Sequence, residues 1–365
     1  MKKNTFHSAF KLQGKSFNSK EELIDFSKEI SLEVADFLID WFDAKSFVEV
    51  KTSGSTGNPK IIQLQKEQMI HSAKATGAYF NLPENTTALL CMSPNYIAGK
   101  MMLVRALTLG WHLDILEPTS NPLKNSDKVY DFSAMVPLQL HNSLGDIYKI
   151  KKLIVGGGAV SKDLLHIIQE VKTEIFATYG MTETITHIAV KKLNHFNKVI
   201  ASETKQSYYS ILPNIKISID KRGCLVIDAP TISEEKVITN DLVELISPNE
   251  FKWLGRIDNV INSGGIKLIP EQIEEKLVGI IENRFFVASK KDEILGEKLI
   301  LVIEDLNIEK LNKSTQAVIL EDIKNSKLFS IYEIPKEIYF LDKFLETETN
   351  KIDRTKTLEL LKEGF

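Results

Sequence analysis

Cysteine is scarce, with two in 365 residues. Cys91 and Cys224 each lie in an apolar run, Leu89-Leu90-Cys91-Met92 and Cys224-Leu225-Val226-Ile227. Both read as buried core thiols, which excludes a disulfide framework or zinc cluster and fits a reducing compartment. A surplus of positive charge is missing too. The 46 Lys and Arg against 49 Asp and Glu leave a net charge of -3, so nucleic acid is not an expected partner. No apolar run approaches the ~18 residues of a membrane span, and Met1-Lys2-Lys3 is not followed by the apolar stretch of a signal peptide. The expected location is therefore the cytoplasm. There is no internal repeat and no low-complexity tract. What is present, 43% hydrophobic and 26% charged residues, suits one large domain and one smaller one.

The pattern along the chain is mostly alternating strand and helix. Ser19 with Glu22 fits a capping box, and Leu23, Phe26, Ile30, Val34, Leu38 and Trp41 recur at helical spacing, predicting one helix up to about Phe42. Residues 47–51 alternate as a strand, 66–80 are helical, 87–92 read as a buried strand, and 98–109 as a helix closed by Gly110. Strand candidates at 112–116, 132–136, 152–155 and 174–178, with helical stretches such as 161–171 between them, predict a largely parallel sheet covered by helices. Residues 215–219 and 224–227 around Lys221-Arg222-Gly223 read as an antiparallel hairpin in a small β subdomain. Beyond Arg256, helices at 270–278 and 315–324 and strands at 285–288 and 299–303 predict a separate α+β core.

Between two strand candidates lies Thr52-Ser53-Gly54-Ser55-Thr56-Gly57-Asn58-Pro59-Lys60. Glycines let backbone N–H groups approach an anion, hydroxyls donate further bonds, and Lys60 adds charge, which together suit a polyphosphate. Two residues separate Gly54 from Gly57 and a strand follows Lys60, so this is not the Walker A loop. Taken alone, the segment also reads as an ordinary polar hairpin turn.

That loop resembles the signature loop of the adenylate-forming superfamily, which includes acyl-CoA ligases, amino-acid adenylation domains and luciferases. Further blocks agree in order: Tyr179-Gly180-Met181-Thr182-Glu183-Thr184, Asp241 after Ile238-Thr239-Asn240, Gly255-Arg256-Ile257-Asp258 through Ser263-Gly264-Gly265-Ile266-Lys267, and Asn350-Lys351-Ile352-Asp353-Arg354. The resemblance implies an α/β fold. Its N-terminal adenylation core would span residues 1–256 and a mobile C-terminal lid 257–365, hinged near Asp258. It also implies that the chain is an enzyme using ATP, Mg²⁺ and coenzyme A. Thr52, Ser53, Gly54, Ser55, Thr56, Gly57 and Lys60 would hold phosphate. Tyr179 and Gly180 would lie against adenine, with Gly157, Gly158 and Ala159 letting a flat ring rest on backbone. Asp241 would bind ribose beside Arg256, Glu183 would hold Mg²⁺ next to Thr182, and Lys351 would bridge carboxylate and α-phosphate. Gly264, Gly265 and Lys267 would face coenzyme A. Asn240 and Asn350 stand where the family usually has glycine, and asparagine tolerates the same backbone. Relative to the family, the stretch before the phosphate loop is short, which would leave a sheet edge open to pairing with a second copy.

Residues 92–107 fall where the family lines its acid pocket. Lys100 and Arg105 lie in an otherwise apolar helix there, with Tyr96 at its start, so a cation facing the substrate would suit an acid bearing a second carboxylate. A solvated or structurally paired base is the alternative. The layout of Tyr96-Ile97-Ala98-Gly99-Lys100 and Val155-Gly156-Gly157-Gly158-Ala159 resembles the short o-succinylbenzoate–CoA ligases of menaquinone synthesis. The implied acid is thus an aromatic dicarboxylate. Transfer to a carrier protein, or a catalytically silent nucleotide-binding protein, are the other readings.

Overall fold

The computed structural model describes residues 6–51, 61–195, 208–306, 313–347 and 352–363. The phosphate-loop residues Thr52 to Lys60, together with Asn350 and Lys351, lie outside the described residues. A twelve-stranded sheet dominates. Its first half runs Lys11–Leu12, His112–Ile115, Thr87–Leu90, Tyr130–Met135, Ile150–Val155 and Glu174–Gly180, all parallel. Strands of this half read as near-continuous apolar runs because helices cover both faces. The expected antiparallel hairpin, Lys216–Ile219 with Cys224–Asp228, is present. It continues the same sheet through His187–Lys192, Tyr209–Ile211, Glu250–Arg256 and Val237–Ser247. The expected α/β class is borne out, with the small β subdomain continuing the main sheet instead of standing apart.

The hairpin Phe47–Lys51 with Ile61–Gln65 stands apart as a two-stranded sheet, its register placing Lys51 opposite Ile61 at the two ends of the phosphate-loop segment. The helix Ile97–Leu109 ends on Gly110 at φ +71°, in the left-handed conformation a glycine cap supplies. One expectation fails: the predicted single helix up to Phe42 is two, Lys20–Ile30 and Leu32–Phe42. Ser31 breaks it. Its backbone is extended and its hydroxyl accepts from the Val34 N–H at 3.4 Å, so the side chain caps a new helix while the apolar period runs on unbroken.

The outermost strand of the parallel half comes from the N-terminal segment. Lys11 pairs with His112 and Leu12 with Leu113, and Phe6, Phe10, Phe17, Phe26 and Phe42 pack ring against ring beside it, with centroids 5.4 to 6.4 Å apart. After Arg256 the sheet changes. Ile261–Ser263, Ile266–Leu268, Phe285–Asp292, Gly296–Glu304 and Glu337–Leu341 form a five-stranded sheet packed with Pro270–Leu277, Lys313–Asn325 and Arg354–Glu363. No helix among the described residues is long and apolar enough to cross a membrane.

Candidate active site

In parallel α/β sheets, ligands bind at the carboxyl ends of the strands. The sequence-selected residues collect at that edge. Gly156 to Ala159 follow Val155 and Tyr179-Gly180 end the adjacent strand, the two strands being tied by the Thr178 hydroxyl donating to the Val155 carbonyl at 3.2 Å. A β-carbon on Gly180 would lie 2.2 Å from the Thr186 carbonyl oxygen, so only glycine allows the chain to fold back there. The turn Thr182–Thr184 comes next. The buried Thr184 hydroxyl closes it by accepting from the Met181 N–H at 3.0 Å, and the Glu183 carboxylate is left exposed. Ile185, just behind, sits at φ +65°, a strained conformation for a β-branched residue and one that concentrates at functional sites.

Tyr179 and Asp241 meet across the sheet. The Tyr179 hydroxyl donates to Asp241 Oδ2 at 2.6 Å, Trp253 Nε1 donates to Oδ1 at 3.1 Å, and Arg256 Nη1 lies 3.8 Å from Oδ1. Burial first, then the Asp241 charge, push the Tyr179 hydroxyl far above its ordinary range, so it stays a donor. Asp241 is 6% exposed. Arg256 Nη2 also donates to Asp258 at 2.9 Å, and this hydrogen bond, opposed by burial and aided by Asn240, holds Asp258 below the usual carboxylate range. Sequence reasoning found Tyr179, Asp241, Arg256 and Asp258 but missed Trp253, which is visible only through the register setting Val243 opposite it.

The two cations of the helix Ile97–Leu109, Lys100 and Arg105, diverge. Lys100 turns toward the Leu32–Phe42 helix, its ammonium 5.1 Å from the Phe37 ring centroid, and burial lowers its pKa against the pull of Asp40 and Glu33. Arg105 points the other way and is 1% exposed. Its Nε donates to Thr76 Oγ1 and its Nη2 to Thr186 Oγ1, both at 3.4 Å, and burial pushes its pKa down to about 9. Among the described residues it has no carboxylate partner. Thr186 lies three positions past Glu183, which sets the guanidinium beside the turn. Tyr96 opens the helix, 45% exposed. The loop before it is fixed by Glu33, which accepts from the Ser93 hydroxyl and the Asn95 amide, each at 2.8 Å; no local pattern marks Glu33, because it sits 60 residues upstream of Ser93.

His187 completes the floor, its Nε2 3.4 Å from Thr76 Oγ1. Burial, then the Arg105 charge, hold its pKa well below the ordinary value. Unfolded, this imidazole takes up a proton near pH ~6.5; folded, it does not. The unfolded state therefore binds more protons below about pH 6.5, and stability falls with pH there by up to about 1.4 kcal/mol per unit. Thermal midpoints between about pH 7.5 and 5 are expected to fall less steeply for His187→Gln than for the parent. Equal slopes would remove His187 as the cause.

Gly264 and Gly265 form the tight turn between Ile261–Ser263 and Ile266–Leu268, at φ +58° and +83°, as two-residue hairpins demand. Lys267 is exposed on the second strand. These three share no bond with the Asp241 network among the described residues. A cleft of about 420 Å³ opens elsewhere, at the amino ends of the parallel strands, lined by Asn85, Asp131, Lys151, Lys152 and Glu174. Its charges are matched within the fold: Lys151 pairs with Asp131 and Lys192 with Glu174, both at 2.7 Å, and Lys152 donates to the Phe80 carbonyl at 2.9 Å. None of the sequence-selected site residues lines it.

The family model for AMP-binding enzymes matches residues 51–228. A 2-succinylbenzoate–CoA ligase of Listeria innocua is 25% identical, covering 87% of this chain and 71% of the relative, and one from Bacillus cytotoxicus is 23% identical over 88% and 71%. Among solved structures, an acyl-CoA synthetase (AMP-forming)/AMP-acid ligase II-like protein from Dyadobacter fermentans is 40% identical. It shares 90% of this chain and 93% of its own, with a TM-score of 0.57. An o-succinylbenzoate coenzyme A synthetase from Bacillus subtilis, in complex with ATP and magnesium, reaches a TM-score of 0.71 at 20% identity, over 85% of this chain and 69% of its own.

Proposed function

We propose that this chain, which belongs to the AMP-binding enzyme family, is an AMP-forming acid–CoA ligase whose acid carries a second carboxylate, with o-succinylbenzoate as that acid. The observation that carries the substrate is Arg105: a guanidinium 1% exposed, fixed by two hydroxyls and facing no acid among the described residues. An uncompensated buried charge costs several kcal/mol, and a carboxylate arriving with the substrate offsets it. The relatives named 2-succinylbenzoate–CoA ligase support the choice.

The residues present fit the co-substrates. Among the described residues no trio of His, Cys, Asp or Glu can hold a metal by itself, so Mg²⁺ would be held by the exposed Glu183 carboxylate together with the nucleotide's phosphate oxygens, where it neutralises phosphate charge. Asp241 accepts from the ribose hydroxyls, and Tyr179 lies along the adenine. In the first step a carboxylate oxygen of the acid bonds to the α-phosphorus as the bond to pyrophosphate breaks, with Lys351 bridging both charges. In the second the thiol sulfur of coenzyme A bonds to the acyl carbon, AMP leaves with the electron pair, and the thiol proton is lost. Between steps the C-terminal domain rotates about Asp258, withdrawing Lys351 and bringing the Gly264-Gly265 turn to the pantetheine arm.

The test mixes protein, ATP, Mg²⁺, coenzyme A and a panel of acids, following AMP, pyrophosphate and thioester by mass spectrometry. A thioester of o-succinylbenzoate is expected. Pyrophosphate without transfer to coenzyme A would point to a carrier-protein acceptor, and no pyrophosphate with any acid would leave a nucleotide-binding protein only. Arg105→Met is expected to raise the KM for the diacid at least about 10-fold more than for its monoacid analogue, the size of a hydrogen-bonded ion pair. Lys100→Ala, removing a group turned to Phe37, is expected to affect both acids alike.

A further inference from the structure

Residues 257–260 are the covalent link between the two sheets: the twelve-stranded sheet ends at Arg256 and the five-stranded one begins at Ile261. Asp258 sits in this link and is gripped from the large sheet. Besides the Arg256 bond, its two carboxylate oxygens accept from Asn240 Nδ2 at 3.1 and 3.2 Å. Asn240 is held in turn. Arg222 Nη1 donates to its side-chain oxygen at 3.0 Å, Nη2 to the Thr239 carbonyl at 2.9 Å, and Nε to Asp220 at 2.8 Å. The residue directly before the ribose-site aspartate thus also holds the link. Glycine, the residue the resemblance leads one to expect at 240, would leave Asp258 on Arg256 alone.

We propose that Asn240, oriented by Arg222, is a positioning residue that ties the link at Asp258 to the Asp241 strand and so biases the C-terminal domain toward the placement seen here. The inference rests on the domain rotation of the ligase reading. The bonds are partly exposed, with Asp258 45% and Arg256 36% accessible, so the device is a bias and not a lock. Asn240 is the operative grip and Arg222 acts through it. That order makes the two residues non-additive, because Arg222 has nothing to orient once the amide is gone.

The experiment uses the full chain with fluorophores on Glu170→Cys and Lys291→Cys, one exposed site on each body, since Cys91 and Cys224 are buried. Single-molecule energy transfer then reads the ratio of domain placements with no turnover required. Asn240→Gly is expected to shift that ratio about fivefold away from the parent's major placement, and Arg222→Gln to shift it the same way by less. Arg222→Gln on the Asn240→Gly background is expected to add nothing. In turnover, the ratio of pyrophosphate exchange to thioester formation moves by the same factor, with ATP KM unchanged. An unaltered distance distribution in Asn240→Gly, or a full Arg222→Gln effect without Asn240, overturns the proposal. A parent that releases no pyrophosphate with any acid defeats the ligase reading instead, and the distance measurement still decides the grip.

Discussion

Alanine at Asp241 is expected to raise the KM for ATP by about 100-fold or more, the size of one or two hydrogen bonds to a charged acceptor. The loss should fall on KM more than kcat, because the ribose is held alike in ground and transition states. The same change strips Tyr179 and Trp253 of the acceptor they share, 2.6 and 3.1 Å away. Tyr179 is half-buried and Trp253 is 37% exposed, so leaving them unpaired costs less than the about 1–3 kcal/mol of a fully buried donor, and a modest drop in thermal midpoint is expected as well. Asp241→Asn separates the two effects: the amide keeps an acceptor oxygen for Trp253 but loses the charge. It is expected to recover stability and keep most of the KM defect. Titration of ATP KM in both variants, beside their melting curves, checks this, and an unchanged KM in Asp241→Ala would move the nucleotide elsewhere.

The second large effect is expected at Lys351. On the proposed mechanism, in which its ammonium bridges carboxylate and α-phosphate, Lys351→Ala takes away electrostatic stabilisation worth about 10²–10³-fold in such steps and should all but stop acid-dependent pyrophosphate release. Thioester formation from preformed acyl-adenylate should survive, since in the proposed scheme that step uses the other placement of the C-terminal domain. The residues that follow Lys351 are anchored on this domain: Asp353 N–H donates to the Leu345 carbonyl and Arg354 Nη2 to Glu274 Oε2, both at 2.8 Å. Whatever moves the domain therefore carries that segment along. Comparable losses in the two half-reactions would remove the two-placement scheme.

Much of this was legible in the residues because the signals were local. Gly110 announced the end of its helix, Lys221-Arg222-Gly223 announced the hairpin of 216–219 with 224–228, and the Tyr179 to Thr184 block carried its resemblance in six consecutive residues. What stayed hidden depended on contacts far apart in sequence. Ser31 cut a helix whose apolar period gave no warning, since a cap is a matter of backbone geometry and not of hydrophobicity. Lys100 and Arg105 looked equivalent on one helix, yet the element each met decided its role: Phe37 for one, Thr186 for the other. The bond from Asn240 to Asp258 spans 18 residues and needs the strand register to be seen.

The placing of Lys11–Leu12 as the outermost strand also bears on the order in which the molecule is made. Those residues are synthesised about a hundred positions before their partners, His112 and Leu113. Until then the neighbouring phenylalanines have one another but not the sheet to pack against. Long-range parallel pairing of this kind is slow and leaves apolar surface uncovered meanwhile. A nascent chain stalled shortly before His112 should therefore engage chaperones through its first segment, and one released beyond Leu113 should bury it.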